Sequence, residues 1–174
     1  MQAAPKSPPV ANVRLLTVDE ILCCHPFGAK ATIINQACLQ EATTEGTGSF
    51  FSFGGQPIVQ SMEEHTAKLI IALGQGHPFN DGNKRTTLRA TLFFLKKNNW
   101  QVVPGKESAL INVINLCTEQ PAGDVSPVRK PVAAEMLEGL IQPNPQAALS
   151  FGKITLDPTD NSGPSNDPGL DSIA

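Results

Sequence analysis

The chain has 174 residues and a mass of 18.5 kDa, enough for one domain with a real core. Its composition, 40% hydrophobic and 17% charged, is that of a globular protein, and apolar runs such as KLIIALG and TLFFL are too short to cross a bilayer. The net charge of −3 resides in residues 143–174, where Lys153 stands against Asp157, Asp160, Asp167 and Asp171, so no global basic field exists to gather nucleic acid. Any anion binding must be local.

In chain order, residues 1–13 carry prolines where a signal peptide needs an apolar stretch, and they read as a flexible, unexported leader. Thr17 and Glu20 stand at capping-box spacing, so a helix begins near Thr17. AKATIINQACLQEA carries Ile33, Ile34, Ala37 and Cys38 as a second helical stripe. Glycines and an aromatic cluster break the pattern over residues 43–60, which reads as an ordered loop or hairpin. Ser61 and Glu64 form a second capping box, opening a helix that buries Ala67, Ile70, Ile71 and Gly74. Pro78 and Gly82 stop any continuous helix through residues 77–82. A strong helix resumes at Asn83 or Lys84, with Leu88, Leu92 and Leu95 on one stripe. ESALINVINLC and PVAAEMLEGLI supply two more amphipathic helices, and residues 143–174 read as a disordered acidic tail. Cys23, Cys24, Cys38 and Cys117 have neither CxxC nor zinc spacing and read as buried thiols of a cytoplasmic protein.

The chemistry concentrates in HPFNDGNKRTTLR, residues 77–89. Asp81, Gly82 and Asn83 precede a helix whose first N–H groups lack intrahelical partners and attract anions. Gly82 can adopt φ > 0 and curl the backbone into an anion nest. Lys84 and Arg85 fall in the first helical turn, where a cation is misplaced by about 0.3–1 kcal/mol unless a polyanion sits nearby. Asp81 can hold Mg²⁺ together with substrate phosphates, and His77 is placed to take a proton from an attacking hydroxyl. Residue by residue, an N-cap, a loop histidine and a solvated basic face explain the same stretch. The basic first turn is what such an explanation leaves over. Pairing His77 with Asp81 and His65 as a metal hydrolase fails on the Pro78 and Gly82 breaks.

HPFNDGNKRTTL resembles the Fic/Doc signature His-x-Phe-x-(Asp/Glu)-Gly-Asn-Gly-Arg-x-x-Arg, through His77, Phe79, Asp81, Gly82, Asn83 and Arg85. Lys84 replaces the second glycine, and Leu88 stands where the last arginine belongs, with Arg89 one place late. Both departures resemble the Doc-like branch, which reads Asn-Lys-Arg-Thr. The resemblance covers residues 14–142 and is strongest in 61–100. It implies an all-α, compact helical bundle with a short β-hairpin or loop flap before the motif helix. It also implies ATP and Mg²⁺, with His77 as base, Asp81 as metal ligand, and Gly82, Asn83, Lys84 and Arg85 as the phosphate cradle. A Doc-like member is implied to move the ATP γ-phosphate to a Ser/Thr hydroxyl of a target protein, as the toxin of a toxin–antitoxin pair. The alternatives are Fic-type AMP transfer by the same residues and a catalytically inactive binding module. Phe51, Phe53, Gly54 and Gly55 are the flap candidates for holding the target. By family analogy a translation factor such as elongation factor Tu is a candidate substrate. Glu45-Gly46 and Glu138-Gly139 lack the Ser/Thr of the family's inhibitory helix, since Glu41 and Ala134 occupy that position. A separate antitoxin-like partner is therefore the expected inhibitor.

Overall fold

A computed structural model describes residues 13–43, 61–119 and 130–146. The flap candidates Phe51, Phe53, Gly54 and Gly55 lie outside the described residues, as do most of the leader and of the acidic tail. Among the described residues the fold is all-α, with six α-helices: α1 (Val18–Cys24), α2 (Gln36–Glu41), α3 (Met62–Gly74), α4 (Asn83–Lys97), α5 (Glu107–Thr118) and α6 (Lys130–Leu137). A 3-10 turn occupies Gly28–Lys30, and two three-residue strands, β1 (Trp100–Val102) and β2 (Ile141–Pro143), pair antiparallel with Gln101 opposite Gln142. No described helix is long and apolar enough to cross a membrane.

Helix α3 is the central post. Its capping box is formed by Ser61 and Glu64, and it buries Met62, Glu63, Thr66, Ala67, Leu69, Ile70, Ala72, Leu73 and Gly74, which is most of its circumference. Such all-round burial marks an interior helix. One core cluster gathers Met62, Leu69 and Leu73 with Leu16, Ile21, Leu39, Phe79, Phe94, Leu95, Trp100 and Ile141. A second joins Ala67 and Ile70 to Leu110, Val113, Ile114, Cys117, Ala133 and Leu137. Each fully buried Leu, Ile or Phe stabilises the fold by roughly 1.5–3 kcal/mol, so these two clusters hold α3 from both sides.

Helix α4 begins at the expected place and is fixed at both ends. At its C-terminus the Lys97 ammonium donates to the Leu15 carbonyl at 3.0 Å and to Glu20 at 2.6 Å. The Asn98 side chain accepts from the Arg14 N–H at 2.7 Å and donates to the Arg14 carbonyl at 3.0 Å. The Thr17–Glu20 capping box is present on α1.

Several sequence expectations are corrected. The stripe on α4 is Thr86, Thr87, Ala90, Thr91, Phe94 and Leu95, whereas Leu92 is exposed. Thr86 and Thr87 are tolerated inside because their hydroxyls donate to the Gly82 and Asn83 carbonyls at 2.9 and 2.8 Å. The second helix is shorter than its apolar stripe, starting at Gln36 under an Asn35 cap. Ile33 instead bridges to Phe79, and Ile34 is exposed. Of the four thiols only Cys117 is buried; Cys23 is exposed, and Cys24 and Cys38 are half-buried.

Candidate active site

The loop between α3 and α4 is laid down as one strand of a short antiparallel contact. The Ile34 N–H donates to the Pro78 carbonyl at 2.8 Å and the Asn80 N–H to the Thr32 carbonyl at 3.0 Å. That pattern makes Ile33 and Phe79 the pair that exchanges no bonds, so Phe79's own N–H and C=O face the other way. The Asn83 side chain meets both: Oδ1 accepts from the Phe79 N–H at 3.0 Å and Nδ2 donates to the Phe79 carbonyl at 2.7 Å. Phe79 is itself buried in the core, which pins the middle of the loop.

Asn83 lines the cleft with its side chain already engaged. Its amide side chain is a loop brace, and what it offers an anion is its backbone N–H. Gly82 caps α4 at φ +79°, the left-handed conformation its position was expected to need, and no side chain caps the helix. The first-turn N–H groups of Asn83, Lys84 and Arg85 are thus free of an intrahelical bond and open to a ligand. The Gly82 N–H is met by Asp81 Oδ1 at 2.6 Å.

An open cleft of about 380 Å³ lies in front of this turn, lined by His77, Asn80, Asp81, Gly82, Asn83, Lys84, Arg85 and Thr118. Every motif residue expected at the site except the flap is thus gathered on one cleft. His77 is exposed on its rim with φ +42°, a left-handed backbone uncommon outside glycine, though histidine is among the side chains that adopt it more readily. Lys84 forms an ion pair with Glu119, the residue that ends α5, and both are substantially exposed. Leu88 is partly buried against the second core cluster, so the position of the family's last arginine faces inward. Arg89 is exposed and does not stand among the residues that line this cleft. Burial pushes the Cys24 thiol up, with Cys23 and Glu20 adding to it and Arg89 opposing.

No group of three metal-ligating side chains exists among the described residues. Among the described residues that line the cleft, Asp81 alone supplies a carboxylate, with one oxygen already on the Gly82 N–H. That donor set does not suit a resident protein-held metal, but it suits Mg²⁺ carried in on phosphates. His65 lines a separate small pocket with Leu15, Leu69 and Phe94 and takes no part.

Sequence reading missed four neighbours. Asn80 and Thr118 line the cleft, Glu119 holds Lys84, and His25 touches Asp81 from behind. His25-Pro26 at a helix end carried a faint signal; Glu119, thirty-five positions from Lys84, carried none.

Residues 49–95 match the Fic/DOC family. Protein kinase doc of Escherichia phage P1 is 40% identical over 55 residues, which are 32% of this chain and 44% of that protein. The matched stretch thus spans less than half of that relative's length. No solved structure matches the chain. The segment that builds the cleft is thus similar to the Fic/DOC family and, over those 55 residues, to a Doc protein.

Proposed function

We propose that this chain is a Doc-like protein phosphotransferase, with residues 14–142 as its catalytic unit in a cytoplasmic setting. The observation that carries the reading is the first turn of α4: a left-handed glycine, no side-chain cap and two cations facing a cleft with His77 on its rim.

In this reading the N–H groups of residues 83–85 and the Lys84 and Arg85 side chains receive the phosphates of ATP, over a backbone that Gly82 curls into place. Asp81 would hold Mg²⁺, which neutralises phosphate charge when bound. His77 accepts the proton of a target Ser or Thr hydroxyl as that oxygen forms a bond to the γ-phosphorus. The bond between that phosphorus and the bridging oxygen breaks, and ADP leaves. Lys84 exchanges Glu119 for phosphate. The likeness to a protein named as a kinase favours γ-phosphoryl transfer over AMP transfer. A protein substrate, with a translation factor such as elongation factor Tu as candidate, and an antitoxin-like inhibitor belong to the same reading.

The test is a paired labelling assay. The protein and a His77→Ala variant are incubated with Mg²⁺, cell lysate and ATP labelled at the γ or α phosphorus. Label on a protein from the γ position alone, lost in the variant, is expected. Label from the α position makes the chain an AMP transferase. No transfer of either label returns it to a binding module.

A further inference from the structure

His25 lies outside the motif, at the end of α1, yet it is only 4% exposed and touches the cleft loop directly. The Phe27 N–H donates to His25 Nδ1 at 3.1 Å. A backbone amide can only donate, so Nδ1 accepts and the ring proton sits on Nε2. Nε2 then donates to the Asp81 carbonyl at 2.9 Å. The ring is wedged against Phe79 at 4.5 Å and Phe27 at 5.6 Å between centroids, so it has no room to turn.

The consequence lies on the other side of one peptide bond. In a trans peptide the C=O and the next N–H point opposite ways. Anchoring the Asp81 carbonyl on His25 behind the loop therefore aims the Gly82 N–H forward, where it holds the Asp81 carboxylate through Oδ1 at 2.6 Å. Glycine tolerates both signs of φ, so the 81–82 peptide could otherwise flip and present its carbonyl to the cleft. A carbonyl there would release the Asp81 carboxylate and turn a negative dipole toward the phosphates. His25 and Pro26 also form the wall behind Gly82: a Cβ on that glycine would stand 3.1 Å from His25 Nε2 and 2.9 Å from Pro26 Cγ.

We propose that His25 is a positioning residue whose Nε2–H locks the Asp81–Gly82 peptide with its amide toward the cleft. This rests on the phosphate-binding reading of that cleft. Its tests separate the two ideas.

Two readouts need no nucleotide. A long-range proton–nitrogen correlation of the His25 ring is expected to show the Nε2–H tautomer; the Nδ1–H tautomer overturns the proposal. The backbone amide resonance of Gly82 is expected to move in His25→Leu and return in His25→Gln, whose amide reaches the Nε2 position. A third readout titrates Mg²⁺–ATP. His25→Asn places its amide near Nδ1 and serves Phe27 but not Asp81. His25→Asn and His25→Leu should bind about tenfold more weakly, and His25→Gln within about threefold of the parent, as one oriented hydrogen bond predicts. Equal affinities for the Asn and Gln variants, with both folded, mean that the ring only fills space and sink the proposal. If the parent chain binds no Mg²⁺–ATP, the nucleotide reading fails while the two spectra still decide the anchor.

Discussion

Removing the Asn83 amide tests how the cleft loop is built. In Asn83→Ala, the Phe79 N–H and C=O lose partners at 3.0 and 2.7 Å, and the Ile33–Phe79 contact cannot replace them because its bonds run through Ile34, Pro78, Asn80 and Thr32. Each orphaned group beside a buried Phe79 costs about 1–3 kcal/mol, less whatever water recovers, so the pair amounts to about 2–4 kcal/mol. At this chain length that is a drop in Tm of about 5–15 °C. Thermal denaturation followed by circular dichroism reads it directly. Asn83→Asp keeps the acceptor for Phe79 N–H but has no donor for its carbonyl, and it should not recover the loss. If Asn83→Ala melts within about 2 °C of the parent yet loses Mg²⁺–ATP, the side chain faces phosphate and the brace is refuted.

Glu119→Gln releases Lys84 from an exposed ion pair of the kind worth about 0.2–1 kcal/mol. Isothermal titration should show Mg²⁺–ATP binding tightened by at most about fivefold, with Tm nearly unchanged; a weaker affinity would mean that Glu119 itself contacts the nucleotide. Gly76→Ala brings a Cβ into the Ala72 carbonyl and within 2.6 Å of Cys38 Cβ, so it should destabilise by about 1–3 kcal/mol or more in chemical denaturation, while a silent variant would show that the loop yields there. Acid should act in two stages. Burial, helped by Lys68 and opposed by Glu64, lowers the pKa of His65 from its ordinary 6.5, so the unfolded chain takes up that proton first and stability falls as pH drops below 6.5 until the folded value is reached. Burial raises Glu20, but Lys97 and Thr17 outweigh it and the net shift is downward from 4.5, so its contribution is full above 4.5 and disappears as pH falls through the folded value. Persistence of the upper stage in melting curves of His65→Gln would refute the first assignment.

Local signals were legible where the physics is local. Both capping boxes lie within four residues, and the need for φ > 0 at Gly82 follows from the break before α4, so sequence reading placed them correctly. The strands β1 and β2 escaped it because three residues are too few to show alternation, and their pairing joins positions about forty apart. Ile33 and Ile34 mimicked a helical stripe because the bridge to Phe79 needs only one residue to face inward. Within the site, the motif revealed the residues that line the cleft. The groups that orient them, His25 on α1 and Glu119 after α5, are distant in sequence and have no spacing to betray them.

The two cations of α4 are not equivalent, and the difference can be measured. Lys84 already has a carboxylate partner, whereas Arg85 is exposed and makes no ion pair among the described residues. An uncompensated cation in the first turn opposes the helix dipole by about 0.3–1 kcal/mol, so Arg85→Gln should hold or slightly raise Tm. A charge-assisted bond to phosphate is worth about 1.5–3 kcal/mol, so the same variant should weaken Mg²⁺–ATP by roughly ten- to a hundredfold. Lys84→Gln forfeits a similar contact, but the parent must first break the Glu119 pair, so the net loss should be smaller. The thermal shift and the titration thus run in opposite directions for Arg85, as expected of a residue kept for its ligand against the interest of its own helix. Arg85→Gln that melts lower and binds Mg²⁺–ATP as tightly as the parent would make Arg85 structural and leave Lys84 as the only cation for the phosphates.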